Sequence, residues 1–196
     1  GSRELLHGES RWCLWLEDAA PRDLSRSRVL RERVEAVRTF RLGAKAPSTN
    51  DFASIPHLFT QRAAQRTAFV CIPGVSSEAR PYLPCSRLGP EAIASHLNYQ
   101  VQDPDGLQFA ILSSAMLLIW QKTIGGRLES RIRFAVRTVW NNFPLPQLTR
   151  EQHEGLVSAG KTVLAARNQN PDRSLAQHYS ANGMEQELAA AHLELD

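Results

Sequence analysis

The chain is poor in the residues that build metal and redox sites. Its 196 residues include three cysteines, Cys13, Cys71 and Cys85. Their spacing matches no zinc motif, and an odd number cannot pair completely. Buried free thiols in a reducing compartment are therefore the expectation. The six histidines fall at neither His-x-x-x-His nor His-x-x-Glu-His spacing, which leaves no zinc-binding helix. No apolar run reaches the roughly 18 residues of a membrane span. The longest, Phe109 to Trp120, is broken by Ser113 and Ser114. With no signal-peptide pattern at the start, a soluble, cytoplasmic protein without a membrane partner is expected.

Catalytic motifs are missing as well. There is no Gly-x-Ser-x-Gly nucleophile turn and no acid–acid–lysine run of a nuclease. Gly125-Gly126-Arg127 lacks the spacing of a phosphate-cradling loop. Asn170-Pro171-Asp172-Arg173 lacks the second proline and the aromatic of a loop that holds a flipped adenine. No catalytic residue, cofactor-binding residue or metal ligand is expected in this chain, so its function is expected to lie in surface recognition.

What is present is an ordinary globular balance, 42% hydrophobic and 22% charged, with a net charge of +3. The charge is unevenly placed. Residues 1–149 hold nineteen basic and thirteen acidic side chains, whereas residues 150–196 hold four and seven. The first part is thus suited to a polyanion. The size suits one domain, or one domain with an appendage.

Residues 11–16, aromatic and apolar, read as a buried strand. Leu30, Val34, Val37 and Phe40 have helical spacing, with Arg26, Arg28, Arg31, Arg33, Arg38 and Arg41 on the outer face. Residues 44–56 read as a loop. Strands are expected over 67–73, 80–85 and 97–101, the second pushed to a sheet edge by Pro81 and Pro84. Residues 107–122 read as one buried helix, and Ile132 to Trp140 as a strand with a basic face. Thr149 is placed to cap a helix through Arg167, and Asn170-Pro171-Asp172 breaks it before two short helical segments, about 173–180 and 184–195. Trp12, Trp15, Trp120, Trp140 and Met116 read as core.

Two polar constellations stand out. Lys122, Arg127, Arg131, Arg133 and Arg137 face a lone acid, Glu129. Arginine is the side chain best shaped to donate two bonds to guanine O6 and N7, although a solvated sheet face has the same composition. Ser76, Ser77, Glu78 and Arg80 gather at a turn. On an extended segment Glu78 and Arg80 project from one side, as an acceptor for cytosine N4 beside a donor for guanine. A surface ion pair is the alternative reading.

Seven stretches, in order, resemble the target recognition domain of MmeI-type (type IIL) DNA methyltransferases, single-chain bacterial restriction–modification enzymes, and related phage-defence methylases. They are Arg11-Trp-Cys-Leu-Trp-Leu-Glu-Asp18, Leu30 to Arg38, Pro56-His-Leu-Phe59, Ile72-Pro-Gly-Val-Ser-Ser-Glu78, Leu112-Ser-Ser-Ala-Met116, Gly126-Arg-Leu-Glu-Ser130 and Trp140-Asn-Asn-Phe-Pro144. The resemblance implies double-stranded DNA as partner. It also implies a methyltransferase domain of the same parent polypeptide that uses S-adenosylmethionine on adenine N6, with an endonuclease domain in some members. It assigns base reading to Ser76, Ser77, Glu78 and Arg80, and to Arg127, Arg131 and Arg133. Lys45 and the arginine-rich helix are left to phosphates.

The chain departs from the family pattern at Gly74, where an arginine is common, at Ala79, within an otherwise more basic tripeptide, and at Leu145, where a tryptophan is usual. The expected architecture is α+β: a small twisted mixed sheet with packed helices over 1–147, then a helical segment over 148–196. Glu194-Leu195-Asp196 carries no helix stop signal, so the chain reads as part of a longer protein; Gly1-Ser2 fits either a native lead-in or a cloning remnant. The competing readings are a protein-interaction module with a basic face and a hydrolase with an unrecognised site.

Overall fold

The computed structural model describes residues 1–196, divided between two compact units: 11–62, and 1–10 together with 63–196. In the larger unit, helix α1 (Ser2–His7) ends on Gly8, whose φ of 69° closes the helix in the left-handed region.

The smaller unit is helical. Pro21 opens α2 (Pro21–Arg26), and the Ser27 hydroxyl caps α3 (Arg28–Leu42) by accepting from the Leu30 amide at 3.2 Å. The stretch expected as loop winds into α4 (Pro47–Asn50) and a 3₁₀ turn over Asp51–Ser54. Arg41 explains this. Expected on the outer face, it is instead buried, and its guanidinium donates to the carbonyls of Phe52 (2.8 Å), Ile55 (3.2 Å) and Leu58 (2.8 Å). Residues 11–16 form no strand and join neither sheet. Trp12 is 96% exposed rather than core, and Cys13 is exposed rather than buried. Trp15 does find a partner, stacking on Phe59 with ring centres 5.4 Å apart.

The larger unit carries all the strands. β1 (Phe69–Pro73), β3 (Ser86–Leu88) and β4 (Asn98–Gln102) form one antiparallel sheet in the order β3-β1-β4. β2 (Val75–Ser76), β5 (Gly126–Leu128) and β6 (Arg131–Arg133) form a second, in the order β2-β6-β5. The α+β class holds, with two antiparallel sheets where one mixed sheet was expected. Gly74 is the joint: its N–H donates to Leu97 O at the first sheet (3.2 Å), and its carbonyl accepts from Phe134 N at the second (3.0 Å). A Cβ there would sit 2.8 Å from Leu97 O, so an arginine at 74 requires the backbone to move. The strand expected over 80–85 falls instead at 86–88, since Pro81 and Pro84 have no N–H to give a ladder.

The apolar run 107–122 is two helices, α5 (Leu107–Ser113) and α6 (Ala115–Ile124), bent by 62°. Ser114 makes the break; its backbone is extended and its hydroxyl accepts from the Leu117 amide at 3.2 Å. Met116, expected in the core, lands on the outer face of α6 at 66% exposure. No single helix is long and apolar enough to cross a membrane.

After β6 the backbone winds into a π-helical turn, Val136–Trp140, rather than continuing as a strand. The turn buries Val139 completely and lets its carbonyl accept from Trp120 Nε1 at 3.0 Å. α7 (Arg150–Asn168) starts with a capping box between Thr149 and Gln152 and crosses α5 so closely that a Cβ on Gly160 would lie 3.0 Å from that of Ala110. α8 (Leu175–His178) and α9 (Gln186–Leu195) complete the unit.

A buried polar chain ties these last helices to the sheets. Arg167 donates to Cys85 O and to the Tyr179 hydroxyl, each at 2.7 Å, and Tyr179 lies 2.9 Å from His192 Nε2. The arginine occupies one acceptor site of the phenol oxygen, so the O–H is left to donate to His192. Burial, then the nearby Arg167 charge, lowers the His192 pKa to about 3. The unfolded chain therefore takes up a proton near pH 6.5, while the folded chain resists until about 3, and stability falls as pH drops through that window. Between pH 7.5 and 4.5, His192→Gln is expected to lose about 2 kcal/mol less than the parent chain in urea denaturation. An equal loss would show that His192 does not titrate in this way.

Candidate nucleic-acid interface

β5 and β6 form a hairpin whose register pairs Leu128 with Arg131, leaving a two-residue tip, Glu129-Ser130. Register also sets which side chains share a face, since directly opposite residues point the same way. Ser76, Ile132 and Arg127 share one face; Val75, Arg133, Leu128 and Arg131 share the other. Ile132 is buried while Arg131 and Arg133 are exposed, so the alternation expected for this strand is present over its three residues.

Glu129 adopts φ 59°, the one non-glycine residue of the chain in the left-handed region. A hairpin tip of this length normally places glycine, asparagine or aspartate there. Its carboxylate accepts from Arg131 at 2.7 Å on a tip open to solvent. Glu129 is not among the residues expected from sequence. Composition shows it only as a single acid among arginines, and a glutamate in a two-residue linker gives no signal of positive φ.

On the other face Glu78 accepts from Arg127 at 2.6 Å, across 49 residues of sequence. The structure thus joins two constellations that the sequence kept apart. Both pairs are about half exposed or more, where an ion pair contributes under about 1 kcal/mol. Arg133 and Arg137 are exposed, with no carboxylate in salt-bridge reach. The tip can therefore exchange its partners for others at small cost.

Arg80 does not stand beside Glu78. Residues 77–80 form a turn, closed by Arg80 N to Ser77 O at 3.4 Å, so the parity of an extended segment does not apply. Arg80 turns inward and donates to the carbonyls of Ala176 (2.9 Å) and Tyr179 (3.2 Å) at the end of α8; burial lowers its pKa. Ser76 is buried in β2, its hydroxyl unpartnered. Ser77 is exposed but accepts from the Ala79 amide at 3.3 Å. Lys45 lies exposed in the smaller unit. The exposed members at the second sheet are therefore Ser77, Glu78, Arg127, Glu129, Arg131 and Arg133.

No three His, Cys, Asp or Glu side chains converge as a metal site would require. Burial pushes the Cys71 thiol up to about 11 and raises that of Cys85, so neither is an activated nucleophile.

Solvated arginine–carboxylate pairs, displayed on a short hairpin above a packed sheet, have the donor and acceptor chemistry of a polyanion-reading module. The chain belongs to the MmeI target recognition domain family, whose model matches residues 1–147. It is 31% identical, over all 196 residues, to DNA methyltransferase A of Bacillus subtilis (strain 168), of which it spans 22%. Among solved structures it is similar to the type IIL restriction–modification enzyme MmeI in complex with DNA. There the TM-score is 0.93 at 35% identity, covering all of this chain and 26% of that one. The chain thus spans about a quarter of the proteins it matches.

Proposed function

We propose that this chain recognises a specific sequence in double-stranded DNA on behalf of a longer polypeptide that methylates adenine N6 with S-adenosylmethionine. In this reading the hairpin of β5 and β6 enters the major groove, which alone presents a distinct donor–acceptor pattern for each base pair. Arg131 and Arg133 donate to guanine O6 and N7. Glu129 and Glu78 accept from the exocyclic amines of cytosine or adenine, with Arg127 released from Glu78 as DNA arrives. Ser77 is within the same display, whereas Ser76 and Arg80 hold it in place from beneath. Lys45 and Arg28, Arg31 and Arg38, exposed on α3, contact phosphates, which position the duplex without reading it. Chemistry, including any cleavage of DNA, belongs to other parts of the longer polypeptide.

The observation that carries this reading is the hairpin tip: an acid in a conformation natural for glycine, paired with an arginine and open to solvent. Strain of this kind persists where the surrounding fold enforces it and is concentrated at functional positions.

Titration of the chain with duplex DNA at rising salt tests the reading. Each neutralised phosphate contributes a slope of about −0.9 in log K against log salt. With four or more contacts, affinity is expected to fall at least about a hundredfold between 50 and 200 mM. Association that ignores salt, or none at all on duplexes that the longer polypeptide methylates, overturns the reading in favour of a protein partner for the basic face.

A further inference from the structure

The smaller unit, residues 11–62, has no core of its own. Only Ala53 and Arg41 are buried in it. In the same unit Trp12 is 96% exposed, Phe40 75%, Leu42 64% and Val29 62%. Isolated exposed apolar residues are ordinary, but a contiguous patch marks an interaction surface. Trp12 lines a groove of about 410 Å³ between residues 12–16, α3 and residues 56–59, where Leu14, Val37 and Phe59 make the lining largely apolar. We propose that this groove is the seat for the rest of the longer polypeptide, an apolar surface edged with carboxylates that docks in cis.

Three observations select that occupant. The charged groups lining the groove are Arg33 and Arg41, and no Asp or Glu lines it. Complementarity therefore asks for acids on the partner. A second copy would bring the same arginines to the same place, since a twofold interface presents one patch to itself. The matched proteins are about four times as long as this chain. A tethered partner acts at high effective concentration, so a modest groove suffices to hold it. Trp12 has the size and exposure of an interface anchor. DNA fits poorly, because phosphates gain nothing from a floor of Trp12, Leu14, Val37 and Phe59. The inference shares with the proposed function only the longer polypeptide, and its test contains no DNA.

Amide hydrogen exchange is compared between the 196-residue chain and the full-length polypeptide. Residues 11–16 and 30–42 are expected to exchange at least tenfold more slowly in the full-length protein. Equal rates overturn the proposal. So does protection that appears in the isolated chain as its concentration rises, which assigns the groove to a second copy. In the full-length polypeptide, Trp12→Ser combined with Val37→Glu is expected to return residues 30–42 to the faster rates. Residues 69–73, in the larger unit, are expected to keep theirs, reporting an intact fold. Protection that survives this double substitution also overturns the proposal. Val37→Lys in place of Val37→Glu is expected to lose less protection, and a greater loss would refute the acidic edge.

Discussion

Arg131→Ala, made in the longer polypeptide proposed above, is expected to relax recognition at one base pair by about tenfold to a hundredfold while leaving thermal stability almost unchanged. The magnitude follows from the bidentate contact, which is worth about 1–3 kcal/mol of discrimination between the right base and a wrong one. The unchanged stability follows from exposure. Arg131 pairs with Glu129 on a solvated tip, and such a pair contributes under about 1 kcal/mol to folding. Methylation or binding measured across all substitutions of the target site separates the outcomes. Loss at a single base position supports base reading. A uniform loss across sequences reassigns Arg131 to a phosphate, and no change removes it from the interface. Arg150, which pairs with Glu154 one turn along α7, serves as the control, with no change expected on its replacement.

Arg167→Met is expected to do the reverse, lowering stability on the order of 3 kcal/mol and the melting temperature by about 10 °C, with no effect on which bases are preferred among molecules that remain folded. Arg167 is 7% exposed and lies over the rings of Phe109 and Tyr179, 5.1 and 4.8 Å from their centres. Its partners are a carbonyl and a phenol, not a carboxylate. Removing it takes the Arg167 donor from Cys85 O and one donor from the Tyr179 hydroxyl. A buried group left without a partner costs about 1–3 kcal/mol. Arg167→Lys keeps the charge but not the planar fork, and is expected to recover less than half of the loss. Urea and thermal unfolding of the three proteins check this. A change below 1 kcal/mol for Arg167→Met would mean the chain of groups from Cys85 to His192 stabilises little.

The elements best anticipated from residue order are those whose signal is local. Thr149 followed by Gln152 announces the start of α7, and Phe69 to Pro73 is β-branched and apolar enough to form a central strand. The misjudged elements are those that tertiary contacts decide. Residues 11–16 have a strand's composition, but no neighbour offers a ladder. The 132–140 run has a strand's alternation, yet the core draws Val139 inward and winds the chain. One hydroxyl, that of Ser114, divides a helix that periodicity alone makes continuous. In the interface, an arginine-bearing strand was legible because alternation survives in its three residues. The Glu78–Arg127 pair was not, because only the fold brings residues 49 apart together. The inward turn of Arg80 was hidden by the assumption of an extended segment.

In the proposed reading, the two-residue linker between β5 and β6 separates the load of folding from the work of discrimination. Side chains at its end hold little of the molecule together, so mutation can exchange them at almost no structural penalty. If the hairpin reads bases as proposed, new preferences can accordingly be sampled one residue at a time, on a platform that selection has no need to rebuild.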